Sequence, residues 1–225
     1  MTFSIAARCA RTGMFGVALS SSSPAVGARC AFARAGVGSV TSQNVTDPRL
    51  GPAGIDSLAA GLSADAVIDA LREKAGKTAP YRQLTAIDAS GHAAAFSGEH
   101  ALGRHGHHIA RDVVAAGNML ASTEVPRAMV EAFSQMPSAH LADRLLDGLL
   151  AALASGGEEG AVHSATLLIV ADQEWPLVDL RVDWSNAPIE DLAALWAIWQ
   201  PQMLDYVSRG LEPAMSPRYG VPGDP

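Results

Sequence analysis

Charge is scarce in this chain. Only 17% of its 225 residues are Asp, Glu, Lys or Arg, and the balance is acidic at −7. The 16 Lys and Arg are scattered, with no basic stripe and no interleaved aromatics, which argues against a nucleic-acid partner. Cysteine is nearly missing: Cys9 and Cys30 have neither metal-ligand spacing nor the density of a secreted disulfide scaffold. Two buried thiols in a cytoplasmic protein are expected instead. No apolar run reaches the roughly 18–20 residues that cross a bilayer, so no membrane association is expected. The first residues lack the basic patch and long apolar stretch of a signal peptide. A glycine-rich phosphate loop is also missing, and Gly36-Val37-Gly38 is too short for a dinucleotide fingerprint. Nothing in the chain asks for a cofactor.

What is present is enough apolar material for a substantial core, 48% of the residues. Thr2-Phe3-Ser4-Ile5-Ala6-Ala7 and Phe15-Gly16-Val17-Ala18-Leu19-Ser20 read as strands joined by a turn at Thr12-Gly13. Val37-Gly38-Ser39-Val40-Thr41-Ser42 reads as a third strand, ended by the polar Ser42, Gln43 and Asn44. From residue 51 the apolar period becomes helical for two short helices, with Ser63 capping the second. A further hairpin follows over 83–97, then a strand over 112–118 and amphipathic helices near 124–135, opened by Thr123, and 139–154. Strands over 165–170 and 177–182 precede a helix at about 188–208 and a Pro-rich extended tail, 213–225. Residues 1–212 are expected to form one domain. The order of strands and helices is that of an α+β fold with mostly antiparallel sheet.

The chain begins Met1-Thr2. A small second residue usually allows the initiator Met to be removed, leaving Thr2 with a hydroxyl and a free α-amine on one residue. That amine titrates near pH 8, so part of it is neutral near pH 7 and can take the hydroxyl proton. Countless proteins begin this way without catalytic consequence, and for these residues alone an ordinary first strand is the better account.

Seven segments occur in an order that adds to this. They are Thr2-Phe3-Ser4-Ile5, Ser23-Pro24-Ala25-Val26-Gly27-Ala28, Ala35-Gly36-Val37-Gly38, Tyr81-Arg82-Gln83-Leu84, Ala95-Phe96-Ser97-Gly98, Gly117-Asn118-Met119-Leu120 and Val178-Asp179-Leu180-Arg181-Val182-Asp183. Together they resemble a bacterial and archaeal family known as a domain of unknown function, number ten twenty-eight, over about residues 2–185. That family is grouped with the N-terminal-nucleophile (Ntn) hydrolase-like proteins. The resemblance implies a four-layer α-β-β-α sandwich of two antiparallel sheets, with the first residue of the mature chain in a cleft between them. It also implies an amidohydrolase in which Thr2 attacks a small amide or peptide-like substrate and forms an ester. The alternative is an inactive member of the fold that binds a small ligand or serves as a scaffold. One departure is His163-Ser164, where many members carry Gln-Ser.

Supporting residues follow from chemistry. Asn118, at a strand end, is a candidate oxyanion donor, though Asn after Gly is also ordinary turn chemistry. Ser42, Gln43 and Asn44 are candidates to line the cleft, Ser21 to contact the amine, and Ser97 to join them. Arg82 and Arg181 are candidate readers of a substrate carboxylate, or else salt-bridge partners of Asp179 or Asp183. The histidines between 100 and 108 lack thiolate or carboxylate company at metal-site spacing, so a surface loop is expected and no metal. Trp184, Trp196 and Trp199 with Leu192, Leu195 and Leu204 read as an apolar stripe on the last helix. It serves core packing or a homodimer seam, and a homodimer or higher homo-oligomer is expected.

Overall fold

The computed structural model describes residues 1–222, so the last three residues of the expected tail lie outside the described residues. The N-terminal hairpin forms as its pattern requires. β1 (Thr2–Arg8) and β2 (Phe15–Ser21) pair antiparallel, with Phe3 opposite Ser20. Their turn closes through Gly13 at φ 75°, a conformation that glycine adopts without a Cβ penalty.

Two sheets are built on this start. β8 (Val113–Asn118) pairs with the free edge of β1 and sets Asn118 opposite Thr2, and β7 (Gly106–Ala110) lies beyond it. β9 (Ser164–Val170) pairs with β2, setting Ser164 opposite Ser21, and β10 (Val178–Val182) pairs with β9. The six-stranded sheet therefore runs β10-β9-β2-β1-β8-β7. The second sheet has four strands in sequence order: β3 (Ala31–Arg34), β4 (Gly38–Asn44), β5 (Arg82–Asp88) and β6 (Ala93–Ser97). Every pairing is antiparallel.

Three apolar clusters define the layers. Alternate residues of β1 and β9, among them Phe3, Ile5, Leu167 and Ile169, pack outward against α4 (Val125–Ser134), α5 (Leu141–Ala154) and α6 (Pro188–Trp199). Val40, Leu84 and Ala86 of the small sheet pack outward against α2 (Leu50–Ala59) and α3 (Ala64–Ala75). Between the sheets lies a third cluster that includes Ala6, Phe15, Val17, Leu19, Ile87 and Val114. The result is the expected four-layer α-β-β-α sandwich of an α+β fold. Side chains alternate along a strand, so Thr2 and Ser4 share the inter-sheet face with Ala6, and Gln83 and Thr85 share it with Ile87. The inter-sheet layer is thus apolar toward one end and polar toward the other.

Several expected elements differ from those observed. The Ala/Gly-rich stretch after residue 26 holds a single helical turn, α1 (Gly27–Cys30), and strand β3. The histidine stretch read as a loop contains edge strand β7, with His107 and His108 in the ladder. Ser42, Gln43 and Asn44 do not end their strand early but pair through to Leu84, Gln83 and Arg82. Ser63 does cap α3, accepting from the Ala66 N–H, whereas α4 has no side-chain cap from Thr123. The single C-terminal helix is interrupted by a 3-10 turn, Gln200–Gln202, before α7 (Met203–Leu211). Pro201 explains the break, since it has no N–H to continue the helical ladder. Trp184 lies before α6 rather than on it and stacks on His163, ring centres 4.3 Å apart. The tail expected to be extended folds back as far as Tyr219, whose ring lies under the Arg209 guanidinium of α7.

Candidate functional site

Antiparallel pairing gathers one set of strand ends at the polar end of the inter-sheet layer. The start of β1 brings Thr2, the end of β2 Ser21, the end of β8 Asn118 and the start of β9 Ser164. The small sheet brings Gln43 from β4, Gln83 from β5 and Ser97 from β6. Thr2, Ser21, Gln43, Gln83, Asn118 and Ser164 are all buried. Burial of so many polar groups is tolerable only where they bond one another.

The first group of bonds surrounds the Met1–Thr2 peptide. Thr2 Oγ1 donates to the Met1 carbonyl and lies 3.3 Å from Ser21 Oγ. Ser21 Oγ also donates to the Met1 carbonyl and accepts from the Ser23 N–H at 3.1 Å. Two hydroxyls therefore converge on one carbonyl oxygen; a donor placed like Ser21 Oγ stabilises negative charge developing there. Thr2 is 5% exposed.

The second group is an amide relay. Gln83 Oε1 accepts from Gln43 Nε2 at 2.8 Å and from Asn118 Nδ2 at 3.1 Å. Gln83 Nε2 donates to Ser97 Oγ and to the Gly117 carbonyl, both at 2.9 Å. Gln43 Oε1 and Asn118 Oδ1 are left buried without a hydrogen-bond partner. The backbone turns left-handed at the last residue of β4, Asn44 at φ 73°, and at the first residue after β8, Met119 at φ 49°. Left-handed backbone is uncommon for a side chain like Met, and such positions cluster at functional sites.

The structure brings Thr2, Ser21, Gln43, Ser97 and Asn118 into one connected region. It does not bring Ser42, Asn44 or Arg82 there. Ser42 lies on the helix-facing side of β4 and donates to the Asp47 carbonyl at 3.1 Å. Asn44 donates to the Tyr81 carbonyl and accepts from the Leu102 N–H, bracing two loops. Arg82 bonds the Val45 carbonyl and Thr78 Oγ1, with Asp47 4.0 Å away. Arg181 is paired with Asp179 through two bonds of 2.8 and 2.9 Å. His163 turns its ring out to Trp184 and the Ser185 carbonyl, away from the hydroxyls. No group of three or more His, Cys, Asp or Glu is disposed to hold a metal among the described residues.

Sequence reasoning passed over two residues. Gln83 stands beside Arg82 in one quoted motif, but alternation along β5 sends the two to opposite faces, and the uncharged one faces the site. Glu158 lies in the Gly-rich break between α5 and β9 and is only 5% exposed. Burial pushes its carboxyl up to about 7, against the pull of the N-terminal ammonium and Ser22. Nothing in Gly156-Gly157-Glu158-Glu159-Gly160 tells the two acids apart. Glu159 is at the surface, 2.7 Å from Arg104.

The model of a family described as "Family of unknown function (DUF1028)" matches residues 2–192. A crystal structure of a protein from Silicibacter pomeroyi, assigned to the same family, is 30% identical. It covers 88% of this chain and 89% of its own, with a TM-score of 0.82. Another solved structure, Anbu (ancestral beta-subunit) from Yersinia bercovieri, is 9% identical over 91% of this chain and 97% of its own, with a TM-score of 0.38. No curated protein matches. Among the described residues, no helix is long and apolar enough to cross a membrane.

Proposed function

This chain belongs to the DUF1028 family, and from that premise we propose that it is an N-terminal-nucleophile amidohydrolase that uses Thr2 on a small amide or peptide-like bond. The observation that carries the reading is the convergence of Thr2 Oγ1 and Ser21 Oγ on one carbonyl oxygen in a buried polar layer. Cleavage of the Met1–Thr2 bond frees the Thr2 α-amine. Thr2 Oγ1 then attacks the substrate carbonyl carbon while the amine takes its proton. The amine passes that proton to the leaving nitrogen as the C–N bond breaks, which leaves an acyl ester on Thr2. Water attacks the ester, giving its proton to the amine. Oγ1 is reprotonated from the amine as the acid departs. Ser21 supports the oxyanion in both halves, and the chemistry needs no metal or redox group.

A second reading, a small-ligand-binding protein without turnover, has one observation in its favour: the Asn118 amide donates to Gln83 and makes no bond to the Met1 carbonyl. Screening amides, lactams and dipeptides with Thr2→Ala as control separates the two. Turnover that survives in Thr2→Ala, or intact mass showing complete retention of Met1 in active protein, ends the hydrolase reading.

A further inference from the structure

β9 starts at Ser164, among the buried hydroxyls, and its seven residues end at Val170. At about 3.4 Å per residue, the loop after it begins about 20 Å from Ser164. Between that loop, the end of α6 and α7 lies a cavity of about 390 Å³. Three aromatic rings wall it: Trp175 from the loop, Trp199 from the end of α6 and Tyr206 from α7. None of the residues that line it carries a charge. A smaller cavity of about 100 Å³ adjoins it, sharing Trp175, Leu177 and Val207, and adds a single charged group, Asp172.

The local sequence accounts for this chamber. Met203, Tyr206, Val207 and Gly210 stand at i, i+3, i+4 and i+7 of α7, which puts them on one helix face. An amphipathic helix ordinarily sinks such a face into the core, yet α7 has no buried residue. Trp199 is held by its Nε1, which donates to the Leu177 carbonyl at 3.1 Å. Its ring centre lies 4.8 Å from that of Tyr206, with the planes tilted by 30°. At Gly210 an added Cβ would stand 3.3 Å from Trp175 Cζ2, so the missing side chain lets Trp175 approach α7. Trp175 remains 41% exposed, which leaves this wall open to solvent.

We propose that the chamber is a binding site for a small uncharged aromatic molecule of one or two fused rings. Aromatic rings pair favourably with centres about 4.5–7 Å apart, and Trp199 with Tyr206 already presents such a pair. The volume falls within the range of small-ligand cavities, about 300–1,000 Å³. A charged ligand gives up its hydration here with no charge in the lining to receive it. Arg209, 4.9 Å from the Tyr206 ring centre, is engaged by the tail: it lies 4.0 Å from the Tyr219 ring centre and donates to the Pro217 and Arg218 carbonyls. The helix side of the chamber, from Trp199 onward, lies beyond the residues 2–192 matched by the family, so the site does not follow from the family assignment.

Calorimetric titration of the full chain with indole tests this. One site with a Kd below about 1 mM is expected. Tryptamine and indole-3-acetate, its cationic and anionic relatives, are expected to bind more weakly by about tenfold or more. Gly210→Leu puts an isobutyl group into the chamber and should weaken indole by about tenfold or more. Its helical circular dichroism should be retained, because Leu is the better helix former. Trp175→Ala, on an exposed loop, should weaken indole likewise by removing a wall. No indole binding at about 1 mM, a charged relative binding as tightly as indole, or full affinity in either folded variant overturns the proposal. Sedimentation showing a dimer that Gly210→Leu dissociates and indole does not would put a second copy of the chain on this face, and also overturns it. Thr2→Ala should bind indole unchanged, which separates this site from the hydrolase reading. Loss of binding there would place indole at the Thr2 end and overturn the proposal.

Discussion

Asn118 Nδ2 donates to Gln83 Oε1 at 3.1 Å, a side-chain bond that crosses from β8 of the large sheet to β5 of the small one. Gln83 Nε2 returns the connection by donating to the Gly117 carbonyl. The sheets are joined here by directional bonds instead of apolar contact, and Gln83 is the centre of them.

Replacing Gln83 by Leu leaves the amide groups of Gln43 and Asn118 without their acceptor and the Gly117 carbonyl without its donor. With each orphaned buried group costing about 1–3 kcal/mol, a loss of at least about 3 kcal/mol is expected in urea unfolding. A variant within 0.5 kcal/mol of the parent would show that the relay contributes little, on the scale of ordinary surface changes.

Thr2→Ala should retain the fold, because the side chain is at the start of its strand and its removal leaves little void. Amide turnover should fall by at least about 10³-fold, as when other enzymes lose their nucleophile. Thr2→Ser should keep measurable turnover, since it keeps both hydroxyl and amine. Equal rates for the Ala and Ser variants would place the attacking group elsewhere.

Glu158 gives a pH signature. Its carboxyl is raised to about 7 in the fold from an ordinary value near 4.5, chiefly by burial. Between those values the folded chain holds a proton that the unfolded chain releases, so stability falls as pH rises through that window. Thermal unfolding of the Met1-bearing protein from pH 4 to 8 should show the decline, and Glu158→Gln should flatten it. An identical slope in the variant would assign the decline to other groups.

Asp47 behaves in the opposite sense. Hydrogen bonds from Arg49, 2.8 to 3.1 Å long, hold its carboxyl at about 2. The stabilisation is complete above the usual Asp range and is lost as pH falls from about 4 toward 2. Asp47→Asn should therefore unfold at a less sensitive acid midpoint, followed by circular dichroism at constant ionic strength. Because Asp47 also neighbours Arg82, the variant is expected to loosen the segment before β5.

The hairpin of β1 and β2, the cap at Ser63 and the layer arrangement were legible because each has a local pattern or an ordered set of motifs. The meeting of Thr2 with Asn118 was legible only through the family resemblance, since 116 residues separate them and no spacing rule predicts the pairing. Arg82 has the chemistry to read a substrate carboxylate, yet strand alternation turns it to the helix side and gives the site to its neutral neighbour Gln83. β7 was hidden because His107 and His108 interrupt the apolar alternation that marks a strand, and an edge position tolerates that. Glu158 was illegible for a different reason. Whether an acid between glycines faces water or protein is decided by the bonds of its loop to the Met119–Ala121 segment, which are long-range.

The inter-sheet layer changes character along its length, from Phe15, Val17 and Leu19 at one end to Thr2, Gln83 and Asn118 at the other. Oily contact holds regardless of what happens beside it, whereas hydroxyls and amides exchange partners readily. A guest molecule can therefore unmake and remake bonds at the wet end while the dry end keeps the two halves clasped, so that occupancy need not be felt by the fold as a whole.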